Sequence, residues 1–120
     1  MATIKKFEDL EIWKDARILV NTIYKNFSSL KDFGYRDQIL RASVSIMNNI
    51  AEGFEYNSNK SFRRYLIIAK SSCGEVRSML YLAEDLNYLN STESKILIDN
   101  TFKLSKKIGS LTSYLNKTNT

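Results

Sequence analysis

Apolar side chains recur at alternating intervals of three and four residues along almost the whole chain, and no proline interrupts them. That spacing keeps them on one face of a helix with about 3.6 residues per turn, whereas a half-buried strand alternates at every second residue. Four stripes can be separated. Trp13, Ala16, Val20, Ile23, Phe27 and Leu30 form the first, in a helix predicted from about Glu8 to Ser29, with Glu8, Asp9 and Glu11 at the end where the helix dipole favours negative charge. Lys31 to Gly34 reads as a connection in which Gly34 supplies the freedom that a turn needs. Ile39, Ser43, Ile46, Ile50 and Gly53 or Phe54 form the second stripe, broken at Asn57–Asn59, where Ser58 or Asn59 is positioned to cap the next helix. Phe62, Leu66, Ala69, Cys73, Val76, Leu80 and Ala83 form the third, ending near Asn87. Asn90 and Glu93 stand at capping-box spacing before the fourth, which runs through Leu97, Thr101, Leu104, Ile108, Leu111 and Leu115; the tail from Lys117 to Thr120 is expected to fray.

Four helices joined by short connections predict an all-α fold, an antiparallel up-down-up-down four-helix bundle in which each helix is roughly 30 Å long. At 120 residues there is material for one core, so residues 1–120 are expected to form a single domain. No apolar run is long enough to span a bilayer, and the beginning of the chain lacks the apolar segment of a signal peptide. No membrane association and a cytoplasmic location are expected.

The residue inventory removes most catalytic chemistry. There is no histidine, the commonest general base and metal ligand, and Cys73 is the sole cysteine. On the third stripe Cys73 reads as a small core hydrophobe. A di-metal carboxylate bundle needs Glu-x-x-His pairs that are absent, and Glu52, Glu55 and Glu75 offer only oxygen ligands for a hard cation. Gly53, Gly74 and Gly109 are isolated, which suits helix packing better than a phosphate-cradling loop. The chain is therefore expected to be no enzyme, with no catalytic residue, cofactor or metal.

Polar groups inside the stripes need a reason. Asn49, Glu52, Ser72 and Glu75 are read as a network of hydrogen bonds that sets the register between the second and third helices, with a carboxylate site as the alternative. Leu40, Val44, Met47 and Ala51 on the second helix, and Ile68, Met79, Leu82 and Leu86 on the third, add apolar flanks beyond one seam. They fit either a wide core face or burial between subunits, because contiguous apolar patches are rare on soluble monomers.

The chain carries 18 Lys and Arg against 13 Asp and Glu, a formal charge of +5, which favours polyanions without demanding them. Arg63, Lys70 and Arg77 recur every seven residues on the third helix, beside Tyr81, and Lys103, Lys106, Lys107 and Lys117 make a basic face on the fourth. Both fit a solvated surface equally well as contacts with the phosphates of a nucleic acid, for which Arg63, Lys70, Arg77, Lys103 and Lys106 are the candidates.

The run from Arg41 to Gly53, Arg-Ala-Ser-Val-Ser-Ile-Met-Asn-Asn-Ile-Ala-Glu-Gly, resembles the S-I-x-x-N-I-A-E-G segment of the four-helix-bundle family encoded in intervening sequences of bacterial 23S ribosomal RNA genes, the S23 family. The resemblance extends from Phe7–Ala16 to the last stripe, and the fold is shared with the accessory protein of diversity-generating retroelements. It implies a homopentameric ring, whose subunit interface would use Leu40, Val44 and Met47 or Ile68, Met79 and Leu82. For the retroelement relative the implied partner is a reverse transcriptase with its template RNA, and the basic surface of this chain leads to the expectation of an RNA or ribonucleoprotein partner. A protein-protein scaffold without nucleic-acid contact is the alternative. No small-molecule substrate is evident.

Overall fold

In the computed structural model, which describes residues 3–118, a 3-10 turn at Phe7–Asp9 precedes four helices, α1 (Glu11–Phe27), α2 (Phe33–Glu55), α3 (Asn59–Asp85) and α4 (Ser91–Thr118). There is no strand among the described residues. Neighbouring helices run in opposite directions. Tyr35, at the start of α2, reaches Met79 near the end of α3, whereas Gly53, near the end of α2, lies against Phe62 and Tyr65 at the start of α3. Lys107, late in α4, reaches Glu11 and Asp15 at the start of α1. The up-down-up-down order follows, with α4 closing on α1 along the thinnest of the four seams.

The predicted stripes become the core. Ile23, Phe27, Ile39, Ile46, Ile50, Leu66, Val76, Leu80 and Ile108 are fully buried, and a buried side chain of this size contributes about 1.5–3 kcal/mol through the area it withdraws from water. Thr101 and Ser43, buried on the same stripes, satisfy their hydroxyls by donating to the carbonyls of Ile98 and Leu40 at 2.7 and 2.9 Å. The second, third and fourth stripes stand as expected, with Phe54 and Leu111 half-buried at their edges. The first is shifted. Ile12 and Leu19 enter the core in place of Trp13 and Val20, which stay half-buried on the shoulder.

Helix lengths differ more than equal stripes suggest. Glu8 and Asp9 belong to the 3-10 turn, and Leu10 is extended, so α1 has 17 residues against 28 in α4. The displaced turn is useful, since Phe7 packs edge-on against Trp13 at 5.2 Å. The expected turn at Gly34 is absent as well. Gly34 lies in the first turn of α2, and Asp32 caps that helix, accepting from Tyr35 N at 3.2 Å. Asp32 also accepts from the Tyr88 hydroxyl at 2.6 Å, and Tyr88 meets Tyr35 edge-on, so one carboxylate ties the α1–α2 connection to the α3–α4 connection. Those two hydrogen bonds hold the Asp32 carboxyl below its ordinary pKa. The residue that takes the left-handed conformation is Asn87 (φ 61°), which ends α3 while Tyr88 N donates back to Ala83 O. Ser58 and Asn90 cap α3 and α4 as expected, accepting from Ser61 N and Glu93 N. Helix α4 continues through Thr118, and the remainder of the expected frayed tail, Asn119 and Thr120, lies outside the described residues.

Candidate nucleic-acid interface

Arg63, Lys70 and Arg77 project from α3 along the side that faces α4, where the antiparallel register brings them beside the second half of that helix. The Lys70 stem lies across Gly109, its Cε 3.2 Å from where a Cβ would stand. One turn pair further on, the Arg77 guanidinium sits 5.2 Å from the centre of the Phe102 ring, and Lys106 Nζ is also 5.2 Å from it. An open groove of about 670 Å³ continues from this point between the two helices, lined by Arg77, Tyr81, Glu84, Lys95, Ile98, Asp99 and Phe102.

The charge along this face is unbalanced for a reason visible in the sequence. There is no Asp or Glu between Asn59 and Gly74, nor anywhere after Asp99. The ion pairs formed among the described residues are Arg36–Asp37, Lys103–Asp99, Lys107–Glu11 and Lys107–Asp15, and none of them engages Arg63, Lys70, Arg77 or Lys106. Four of the five candidate phosphate contacts thus share one uncompensated strip. Lys103 is the exception. It pairs with Asp99 at 2.9 Å, one helical turn away, in a solvent-exposed ion pair. Lys107 also leaves the basic face. It bridges Glu11 and Asp15 across the α1–α4 seam at 2.7 and 2.9 Å, and these hydrogen bonds raise its ammonium pKa to about 12 while lowering that of the Glu11 carboxyl.

The polar network between α2 and α3 is present in altered form. Ser45 and Ser72 share a hydrogen bond at 2.9 Å, and Asn49 donates to the Ser45 carbonyl and hydroxyl at 2.8 and 3.0 Å, so Asn49 reaches Ser72 through Ser45. Glu75 is at the rim, accepting from Gln38 at 3.2 Å. Glu52 is exposed, beside the stacked rings of Tyr56 and Tyr65 and away from this network. Among the described residues no group of three or more acidic or thiol side chains is gathered where it could hold a metal ion. Cys73 is 1% exposed, and burial pushes its thiol pKa up to about 12 despite Arg77 and Lys70 nearby.

The two apolar flanks differ. Ile67, Ile68 and Leu82 are exposed on α3, and Leu86 is exposed at its C-terminal cap. Met79 is not surface at all. At 9% exposed it fills the core next to Leu80, under the carbonyl that receives the Tyr35 hydroxyl. Leu40 and Met47 are half-buried against the core, and Val44 is half-buried between them. Of the residues that line the groove, the apolar and basic stripes contain neither Phe102 and Lys95 nor Ile98. The seven-residue spacing of Lys95 and Phe102 on α4 was the available signal, but it acquires meaning only once the register with Arg77 is known. Among the described residues no helix is long and apolar enough to cross a membrane.

Comparison with known proteins supplies a family. Residues 8–110 match the family model described as 23S rRNA-intervening sequence protein. Among solved structures, the fold is similar to a protein of unknown function from the S23 ribosomal protein family of Bacteroides thetaiotaomicron VPI-5482. The TM-score is 0.78 and the identity 24%, covering 84% of this chain and 97% of that one. At that identity the likeness speaks for the fold. No curated protein matches the chain.

Proposed function

The chain belongs to the 23S rRNA-intervening sequence protein family, and from that premise we propose that it is a non-enzymatic, homo-oligomeric bundle of the cytoplasm that binds structured RNA, free or within a ribonucleoprotein. The observation that carries this reading is the strip of Arg63, Lys70, Arg77 and Lys106 beside the α3–α4 groove, none of which is ion-paired to a carboxylate among the described residues. Cations without a carboxylate partner keep their charge available for phosphates, and contacts to phosphate give affinity without sequence preference. A non-enzymatic role is supported by the lack of histidine and by a cysteine held as a buried neutral thiol.

Oligomer formation has its own support. A ring of more than two copies needs two different, complementary patches on each subunit. Ile68 and Leu82 lie on the flank of α3 that also carries Glu75, opposite the basic strip, while Leu40, Val44 and Met47 lie on the side of α2 away from Ser45 and Asn49. Assembly through these patches leaves the α3–α4 groove open, and repetition of the strip around a ring adds avidity to weak contacts. For a homopentamer, light scattering coupled to size exclusion is expected to give about five times the chain mass of 13.9 kDa. A monomeric mass at micromolar concentration contradicts this assembly and returns the flanks to a wide core.

Replacing Arg63, Lys70 and Arg77 together by glutamine tests the RNA reading. The fold is expected to survive, because none of the three is a core residue. Affinity is expected to fall for unrelated RNA sequences alike, with the slope of log affinity against log salt reduced by about 2–3. A triple variant that binds with unchanged affinity and slope would reduce the strip to solvated surface and favour a scaffold that recognises protein.

A further inference from the structure

The groove that continues the basic strip has more than charge in it. Tyr81 is 58% and Phe102 47% exposed, and both line the same groove beside Arg77. A single exposed aromatic is ordinary on a protein surface. Two in one groove, one of them with two cations at its ring, are the composition of a platform on which a base stacks while its phosphate is neutralised. A paired A-form helix cannot use such a platform, because its bases are stacked on one another and it offers proteins mainly phosphates and 2′-hydroxyls. Carboxylates restrict the direction of approach. Glu84 and Asp99 stand on the Tyr81 and Lys95 side of the groove, Asp99 neutralised by Lys103, whereas the Lys70 side has none. A phosphate backbone is therefore drawn along Arg77 and Lys70, with its base directed at Phe102.

Resting on the RNA reading above, we infer that this groove captures an unpaired nucleotide of a structured RNA, stacking its base on Phe102 with Tyr81 beside it and holding its phosphate between Arg77 and Lys106. The bundle thereby prefers bulged or looped RNA to perfect duplex.

The test uses the full chain and two hairpin RNAs of equal stem length, one fully paired and one carrying a single bulged 2-aminopurine. Wild type is expected to bind the bulged RNA about tenfold more tightly, the scale of one base-aromatic stack, and to quench the 2-aminopurine on binding. Phe102→Leu is expected to bring the two affinities to within about twofold, with binding still weakened by salt because the cations remain. Phe102→Trp is expected to keep the preference, which separates loss of stacking from damage to the fold. Equal wild-type affinities for the two RNAs, or a preference that survives in Phe102→Leu, would overturn the inference and leave salt-dependent RNA binding standing. Absence of salt-dependent binding to either RNA would instead remove the reading on which it rests.

Discussion

Gly53→Ala is expected to destabilise the bundle by about 2–3 kcal/mol, in a direction opposite to helix propensity. A Cβ at this position stands 2.6 Å from Tyr65 Cβ and 3.2 Å from Phe62 Cδ1. Both Cβ atoms are fixed to their backbones, so no rotamer change relieves the contact, and α2 and α3 must separate where Phe54 meets Phe62 edge-on at 5.7 Å. Alanine returns only about 1 kcal/mol of intrinsic helix preference. At Gly74, where an added Cβ meets nothing within 4 Å, the same substitution is expected to stabilise by about 0.5–1 kcal/mol. Thermal melts of the two variants check the pair, with a fall of roughly 10 °C for Gly53→Ala against a small rise for Gly74→Ala. Equal shifts for both would mean that α2 and α3 do not approach at Gly53.

Cys73→Asp is expected to cost about 3–5 kcal/mol, a large share of the roughly 5–15 kcal/mol that a domain of this kind possesses. Cys73 is 1% exposed on the same face of α3 as Ala69 and Val76, both fully buried. A carboxylate there either loses its hydration or takes up a proton, and each route draws on folding free energy. Lys70 and Arg77 soften the effect, since both favour the anionic form of the present thiol, but burial outweighs them. Denaturant unfolding measures the loss directly. An unchanged midpoint would put position 73 on the surface and rotate α3 about its axis, which would also displace the basic strip from the groove.

The bundle was legible because three of the four stripes keep in the structure the phase that their spacing assigns. In the first, Ile12 precedes Trp13 and Leu19 precedes Val20, so two neighbouring apolar positions compete for each core site and spacing alone does not choose between them. Met79 and Leu80 pose the same ambiguity on α3, and both proved buried. Gly34 drew attention as a turn residue, whereas the turn is made by capping at Asp32, whose second hydrogen bond goes to Tyr88 at a distance in sequence that no local pattern encodes. For the candidate site, the seven-residue recurrence of Arg63, Lys70 and Arg77 marks a strip whose last member, Arg77, lines the groove. The opposing wall depended on the register of α4. The Lys103 ion pair was legible in the sequence, because Asp99 stands four residues before it on a helix.

The proposal that this bundle binds RNA rests on four cations that no carboxylate pairs with among the described residues, and the affinity of the wild-type protein for a structured RNA over a series of salt concentrations tests it most directly. Neutralising one phosphate at each of Arg63, Lys70, Arg77 and Lys106 predicts a slope of log affinity against log salt of about −3 to −4 per engaged subunit. The expected result is binding that weakens along that line and is steeper when several subunits share one RNA. Binding indifferent to salt, or none at low salt, would contradict it.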